Sequence, residues 1–126
     1  MSTFPTLSDP FEGTWETVRA ELAGEPVPEL VVRQTVLTLA RGSYAVYFNR
    51  QLADSGDYTL APGQPHAALV LHGRVGPNAG RTIPAIYQLM GERLRICYGL
   101  AGDAPAAFAT TAGSQLYLVI YRRKTG

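Results

Sequence analysis

Apolar and polar positions alternate with period two along almost the whole chain, and nowhere do they hold the longer repeat of an extended amphipathic helix. Such alternation gives each strand one apolar face, so the pattern predicts an all-β chain. Strands are expected over residues 13–22, 35–40, 43–49, 57–60, 67–72, 83–90, 93–98 and 116–123, bounded by turns rich in Gly, Pro and Asn. The turns include Ala61-Pro62-Gly63 and Gly76-Pro77-Asn78-Ala79-Gly80. Helix is expected only in short pieces, at 28–32 after a Pro-rich turn and around 105–108.

Two hairpins declare their register. Arg41-Gly42 joins the second and third strands, and glycine accepts the positive φ that a two-residue turn demands. Pairing outward from it sets Leu39 opposite Tyr44, Leu37 opposite Val46 and Thr35 opposite Phe48, a continuous apolar face. Gly91-Glu92 joins the sixth and seventh strands and sets Leu89 opposite Leu94, Tyr87 opposite Ile96 and Ala85 opposite Tyr98. The outer face of this second hairpin carries Ile86, Gln88, Arg95 and Cys97.

Eight strands in chain order, joined without a crossover helix, specify an antiparallel up-and-down meander, and eight make the smallest common closed β-barrel. Closure has its own signature. Trp15 heads the first strand and Arg122 and Arg123 end the last, and they meet only where those two strands are neighbours. If Leu116, Leu118 and Ile120 point inward, parity makes Arg122 the partner of Trp15, in a structural cation–π contact of about 0.5–2 kcal/mol. The expected lining then also includes Leu37, Leu39, Val46, Phe48, Leu60, Leu69, Leu71, Ile83, Leu89, Leu94 and Ile96, with Tyr44, Tyr58, Tyr87 and Tyr98 among them.

Gly13-Thr14-Trp15 with a late arginine resembles the calycin signature of lipocalins and fatty-acid-binding proteins, in which the arginine packs across the tryptophan at the closed end of the barrel. Further blocks are Phe11-Glu12, Leu37-Thr38-Leu39, Gly56-Asp57-Tyr58, Ile86-Tyr87-Gln88-Leu89, Leu94-Arg95-Ile96-Cys97-Tyr98 and the closing Leu116–Arg123. Together these resemble a bacterial lipocalin-like domain family of unknown function, from Phe11 to Arg123. The resemblance implies one lipocalin-like domain over residues 11–124, preceded by an N-terminal extension, 1–10. It departs at Ala104-Pro105 before Phe108, where the family tends to carry Arg-Pro, so no role of that arginine carries over. Residues 23–32 are too few for the two-helix lid of fatty-acid-binding proteins.

Composition removes several function classes. A net charge of +1, from 11 basic and 10 acidic residues in 126, makes no field for nucleic acid or an anionic membrane. Arg122-Arg123-Lys124 reads as a strand end and solvated tail. The single cysteine, Cys97, excludes an internal disulfide, and its outer parity makes it an inert thiol. Residues 1–10 lack the features of a signal peptide, and no apolar run approaches the roughly 18–20 residues of a spanning helix, so a cytoplasmic protein is expected. His66 and His72 flank one strand without a Cys or carboxylate cluster, so no metal is expected, and no nucleophile elbow, phosphate loop or dinucleotide fingerprint implies a cofactor.

Function turns on whether the barrel is hollow. Small Ala85 among large residues, and tyrosine hydroxyls needing partners, favour a pocket for a small hydrophobic ligand. The candidate ligand-binding residues are Tyr44, Phe48, Tyr58, Leu71, Tyr87, Ile96, Tyr98 and Leu118. Replacing Tyr87 or Tyr98 by Phe is expected to leave stability nearly intact. Two other readings stay open. One is a cofactor-independent enzyme of cyclase or isomerase type, with Arg19 or Asp57 as its ionisable group. The other is a filled barrel whose outer Tyr47, Tyr117, Val119 and Tyr121 meet a partner or a second copy in a homodimer.

Overall fold

The computed structural model describes residues 11–61, 63 and 66–124. The N-terminal extension lies outside the described residues, as does Pro62 of the expected turn. The chain runs β1 (Gly13–Leu22), β2 (Glu25–Pro26), α1 (Glu29–Arg33), β3 (Thr35–Ala40), β4 (Ser43–Phe48), β5 (Gln51–Ala61), β6 (Ala67–Val75), β7 (Thr82–Met90), β8 (Arg93–Gly99) and β9 (Leu116–Arg123). Strands β3 to β9 follow one another in the sheet, and β1 pairs with both β3 and β9. The result is a closed eight-stranded antiparallel barrel in up-and-down order, with β2 a two-residue appendage on β1.

Turn chemistry sets both hairpin registers as expected. Arg41 and Gly42 take φ 53° and 80°, and Leu39 pairs with Tyr44, Leu37 with Val46 and Thr35 with Phe48. Across Gly91, Leu89 pairs with Leu94, Tyr87 with Ile96 and Ala85 with Tyr98. A third tight turn is less evident in the sequence. Asn49 and Arg50 both adopt positive φ, which brings β5 back against β4 from Gln51 onward, six residues before the strand expected at 57–60. The short helix appears at Glu29–Arg33 and buries Val32, whereas residues 106–108 form a bend and no helix.

The closed end is built around Trp15, which has no solvent exposure. Its indole Nε1 donates to the Phe11 carbonyl at 3.0 Å, and the Phe11 ring packs edge-on to Tyr87 with centroids 4.6 Å apart. The residue across the indole is Arg123, with its guanidinium carbon 4.4 Å from the ring centroid. Arg123 Nη1 also donates to the Glu12 carbonyl at 2.6 Å. This corrects the assignment of Arg122, which lies on the outer face and pairs with Glu16 at 3.3 Å. Gly13 has φ +141°, and a Cβ there would sit 2.6 Å from Arg123 Nη1, so the arginine crosses where a side chain would otherwise stand.

The whole inward set of β9 is likewise the reverse of that expected. Tyr117, Val119 and Tyr121 face the interior, opposite Tyr98, Ile96 and Leu94, while Leu116, Leu118 and Ile120 lie on the other face. Parity was uninformative because residues 116–121 are apolar on both faces. The outer face owes this to a cover, the β8–β9 connection, from which the Ala109 carbonyl meets Cys97 Sγ at 3.8 Å. The Thr110 hydroxyl of the same loop donates to Glu21 of β1 at 2.6 Å. Two rings also pin it, with Arg95 3.9 Å over Phe108 and His66 at 4.8 Å from it.

Candidate functional site

Between mid-barrel and the end opposite Trp15 lies a cavity of about 160 Å³, which is not sealed from solvent. Leu37, Leu39, Leu69, Leu71, Ile83 and Ile96 give it apolar walls, and Tyr44, Asp54, Asn78, Tyr98, Tyr117 and Tyr121 supply polar atoms. Thr35 at the start of β3 and Leu100 just past β8 stand at its mouth. The walls follow directly from hairpin parity, because Leu37, Leu39, Leu69 and Leu71 sit on the inward sets of their strands.

The polar atoms fall into two groups. Tyr98 and Tyr121 exchange a hydroxyl–hydroxyl hydrogen bond at 2.8 Å, and burial pushes both pKa values up, so both stay neutral at physiological pH. Tyr117 stacks on Tyr98 with centroids 5.8 Å apart, and burial raises it too.

The second group is Tyr44 with Asp54. Asp54 reaches the interior because a bulge between Val46 and Tyr47 lets β4 pair with both Asp54 and Leu52, which turns the β5 residue inward. Gly56 makes room for the tyrosine, since a Cβ there would lie 2.9 Å from Tyr44 Cε1. Burial first, and then the Asp54 carboxylate, push the Tyr44 hydroxyl up to about 12. Asp54 is near enough for hydrogen bonding to add to that rise, but neither Tyr44 Oη nor Asp54 Oδ1 has a hydrogen bond of normal geometry. The other carboxylate oxygen, Oδ2, accepts from Asn78 Nδ2 at 2.7 Å.

Of the residues singled out from sequence, Tyr44, Leu71, Ile96 and Tyr98 are brought together around this cavity. Tyr58 and Tyr87 are inward but pack against Phe11 at the closed end. Phe48 is inward in register but 43% exposed at the rim, where the strand runs past the core. Leu118 faces outward with the reversed β9 parity and lines a shallow groove beside Arg19 and Pro26. Neither ionisable candidate lies inside: Arg19 is exposed after a bulge between Thr17 and Arg19, and Asp57 pairs outside with Arg74 at 2.5 Å.

Tyr117 and Tyr121, read as an outer stripe, belong to the interior. Asp54 and Asn78 were missed altogether. The available signal was Asn49 after Phe48, a residue tolerant of the left-handed conformation that begins a two-residue turn. Cys97 keeps its outer parity but is fully buried, and burial raises its thiol pKa. Among the described residues no group of His, Cys, Asp and Glu gathers as a metal site, and no helix is long and apolar enough to cross a membrane. Compared with known proteins, the chain matches no family model, no curated protein and no solved structure.

Proposed function

We propose that this barrel binds a small hydrophobic molecule in the cavity above the Trp15 plug, as its resemblance to lipocalin-like domains suggests. The observation that carries this reading is the cavity itself, with apolar walls and a few clustered polar atoms. Its size sets the ligand class. A void of about 150 Å³ in a protein core accommodates a benzene-sized ring, and 160 Å³ is of that order. Long acyl chains exceed it.

A thermal-shift series of rising length checks the reading. Single-ring and short aliphatic compounds raise the melting temperature, because a ligand that binds only the folded state stabilises it by about 2.7 kcal/mol at 100 times its dissociation constant. Long-chain acids and alcohols produce no shift. Leu71→Phe, which places a ring in the cavity, keeps the fold and abolishes the shifts. Equal shifts in the parent and the filled variant would place binding elsewhere.

A further inference from the structure

One wall of the cavity is chemically unfinished. Tyr44 is 3% exposed, and its hydroxyl and the adjoining Asp54 Oδ1 are buried polar atoms that lack a hydrogen bond of normal geometry, each other's included. Native interiors rarely leave such atoms unpaired. The rest of the arrangement is saturated. Arg81 Nη1 donates to Asn78 Oδ1 at 3.2 Å, and Arg81 Nη2 donates to the Leu100 carbonyl. Arginine has no acceptor, so its contact orients the Asn78 amide, with oxygen toward Arg81 and NH2 toward Asp54 Oδ2. Arg81, Asn78 and Asp54 thus form a chain that occupies Oδ2 and leaves Oδ1 open. Because a neutral amide separates Arg81 from Asp54, the arginine makes no ion pair with the carboxylate there.

We propose that the cavity takes a small apolar molecule bearing a cationic hydrogen-bond donor, a protonated primary amine on a ring or short chain. Its N–H donates to Asp54 Oδ1, and a second N–H donates to the Tyr44 hydroxyl. This rests on the reading that the barrel binds a small apolar ligand, and adds the identity of its polar end. Two features support it. The open acceptor belongs to a carboxylate, and the tyrosine beside it stays neutral. A ligand carboxylate would meet Asp54 as a like charge, so the site rejects small acids.

Calorimetry with three probes of similar size, ethylbenzene, benzylamine and benzoate, tests this on the parent, Asp54→Asn and Tyr44→Phe. In the parent, benzylamine is expected to bind about tenfold or more tightly than ethylbenzene, as a charge-assisted hydrogen bond provides, and benzoate not measurably. Asp54→Asn, nearly isosteric, removes the advantage of benzylamine over ethylbenzene. Tyr44→Phe, which retains the ring, reduces the amine advantage several-fold and serves if the first variant fails to fold. If ethylbenzene equals or exceeds benzylamine, or the amine advantage survives both variants, the assignment of the polar end is overturned while the apolar cavity stands. If no probe binds, ethylbenzene included, both readings fall.

Discussion

The Arg123 guanidinium lies 4.4 Å above the Trp15 ring and is anchored to the Glu12 carbonyl, so the last strand locks the first at the closed end of the barrel. Arg122, one residue away, faces solvent in an exposed pair with Glu16. The two adjacent arginines therefore have different energetic weight. Arg123→Ala is expected to cost about 1–3 kcal/mol through a desolvated cation–π contact and a charged hydrogen bond. Arg122→Ala is expected to fall within about 0.5 kcal/mol of the parent, and Trp15→Ala to cost about 3–5 kcal/mol. Urea unfolding of the three variants checks the order, and equal losses at 122 and 123 would contradict the register.

Tyr98 and Tyr121 satisfy each other at 2.8 Å in a buried site. Each single change to Phe strands the surviving hydroxyl and should cost about 1–3 kcal/mol. The double change should cost less than the sum of the two. A double-mutant cycle measures the coupling. The benign Tyr98→Phe expected from sequence does not allow for this partner.

Tyr44, Tyr98, Tyr117 and Tyr121 have pKa values raised above 10 in the folded state, all with burial as the leading cause. Unfolding returns them to about 10, so above that pH the unfolded chain holds fewer protons and stability falls as pH rises. Their contribution is intact below pH 10, and the Tyr44 part is lost between 10 and about 12. Tyrosinate absorbance should show this group titrating late and together with loss of structure. Simple titration of all four near 10 in a folded protein would contradict the burial.

At Gly56 an added methyl would collide with the His72 carbonyl and stand 2.9 Å from Tyr44 Cε1. The first of these contacts is with backbone, which yields only if the strands move. Gly56→Ala is thus expected to cost about 1–3 kcal/mol by overpacking and to weaken binding of any cavity ligand by displacing Tyr44. Thermal melting and the benzylamine titration report the two effects separately.

Much of the barrel was legible along the chain. Arg41-Gly42 and Gly91-Glu92 are turns whose geometry is local, so the pairs Leu37–Val46 and Tyr87–Ile96 follow by counting, and with them most of the apolar lining. The positions of Asp54 and Arg123 could not be counted out in the same way. A β-bulge inserts a residue and reverses which side chains point inward, as happens opposite Val46 and Tyr47, where it turns Asp54 inward. The Ala109 loop covers the outside of β8, so apolar residues on either side cease to mark the core.

Strand order and hairpin register are properties of neighbouring residues, written into the chain by alternation and turn residues. Which arginine meets Trp15, and which carboxylate stands beside Tyr44, were decided by the tertiary structure. Those contacts join residues 108 and 10 positions apart, the second through a register that a bulge shifts. The volume left between the walls is likewise a difference between the space enclosed by eight strands and the side chains that fill it, a quantity present only once the barrel has closed.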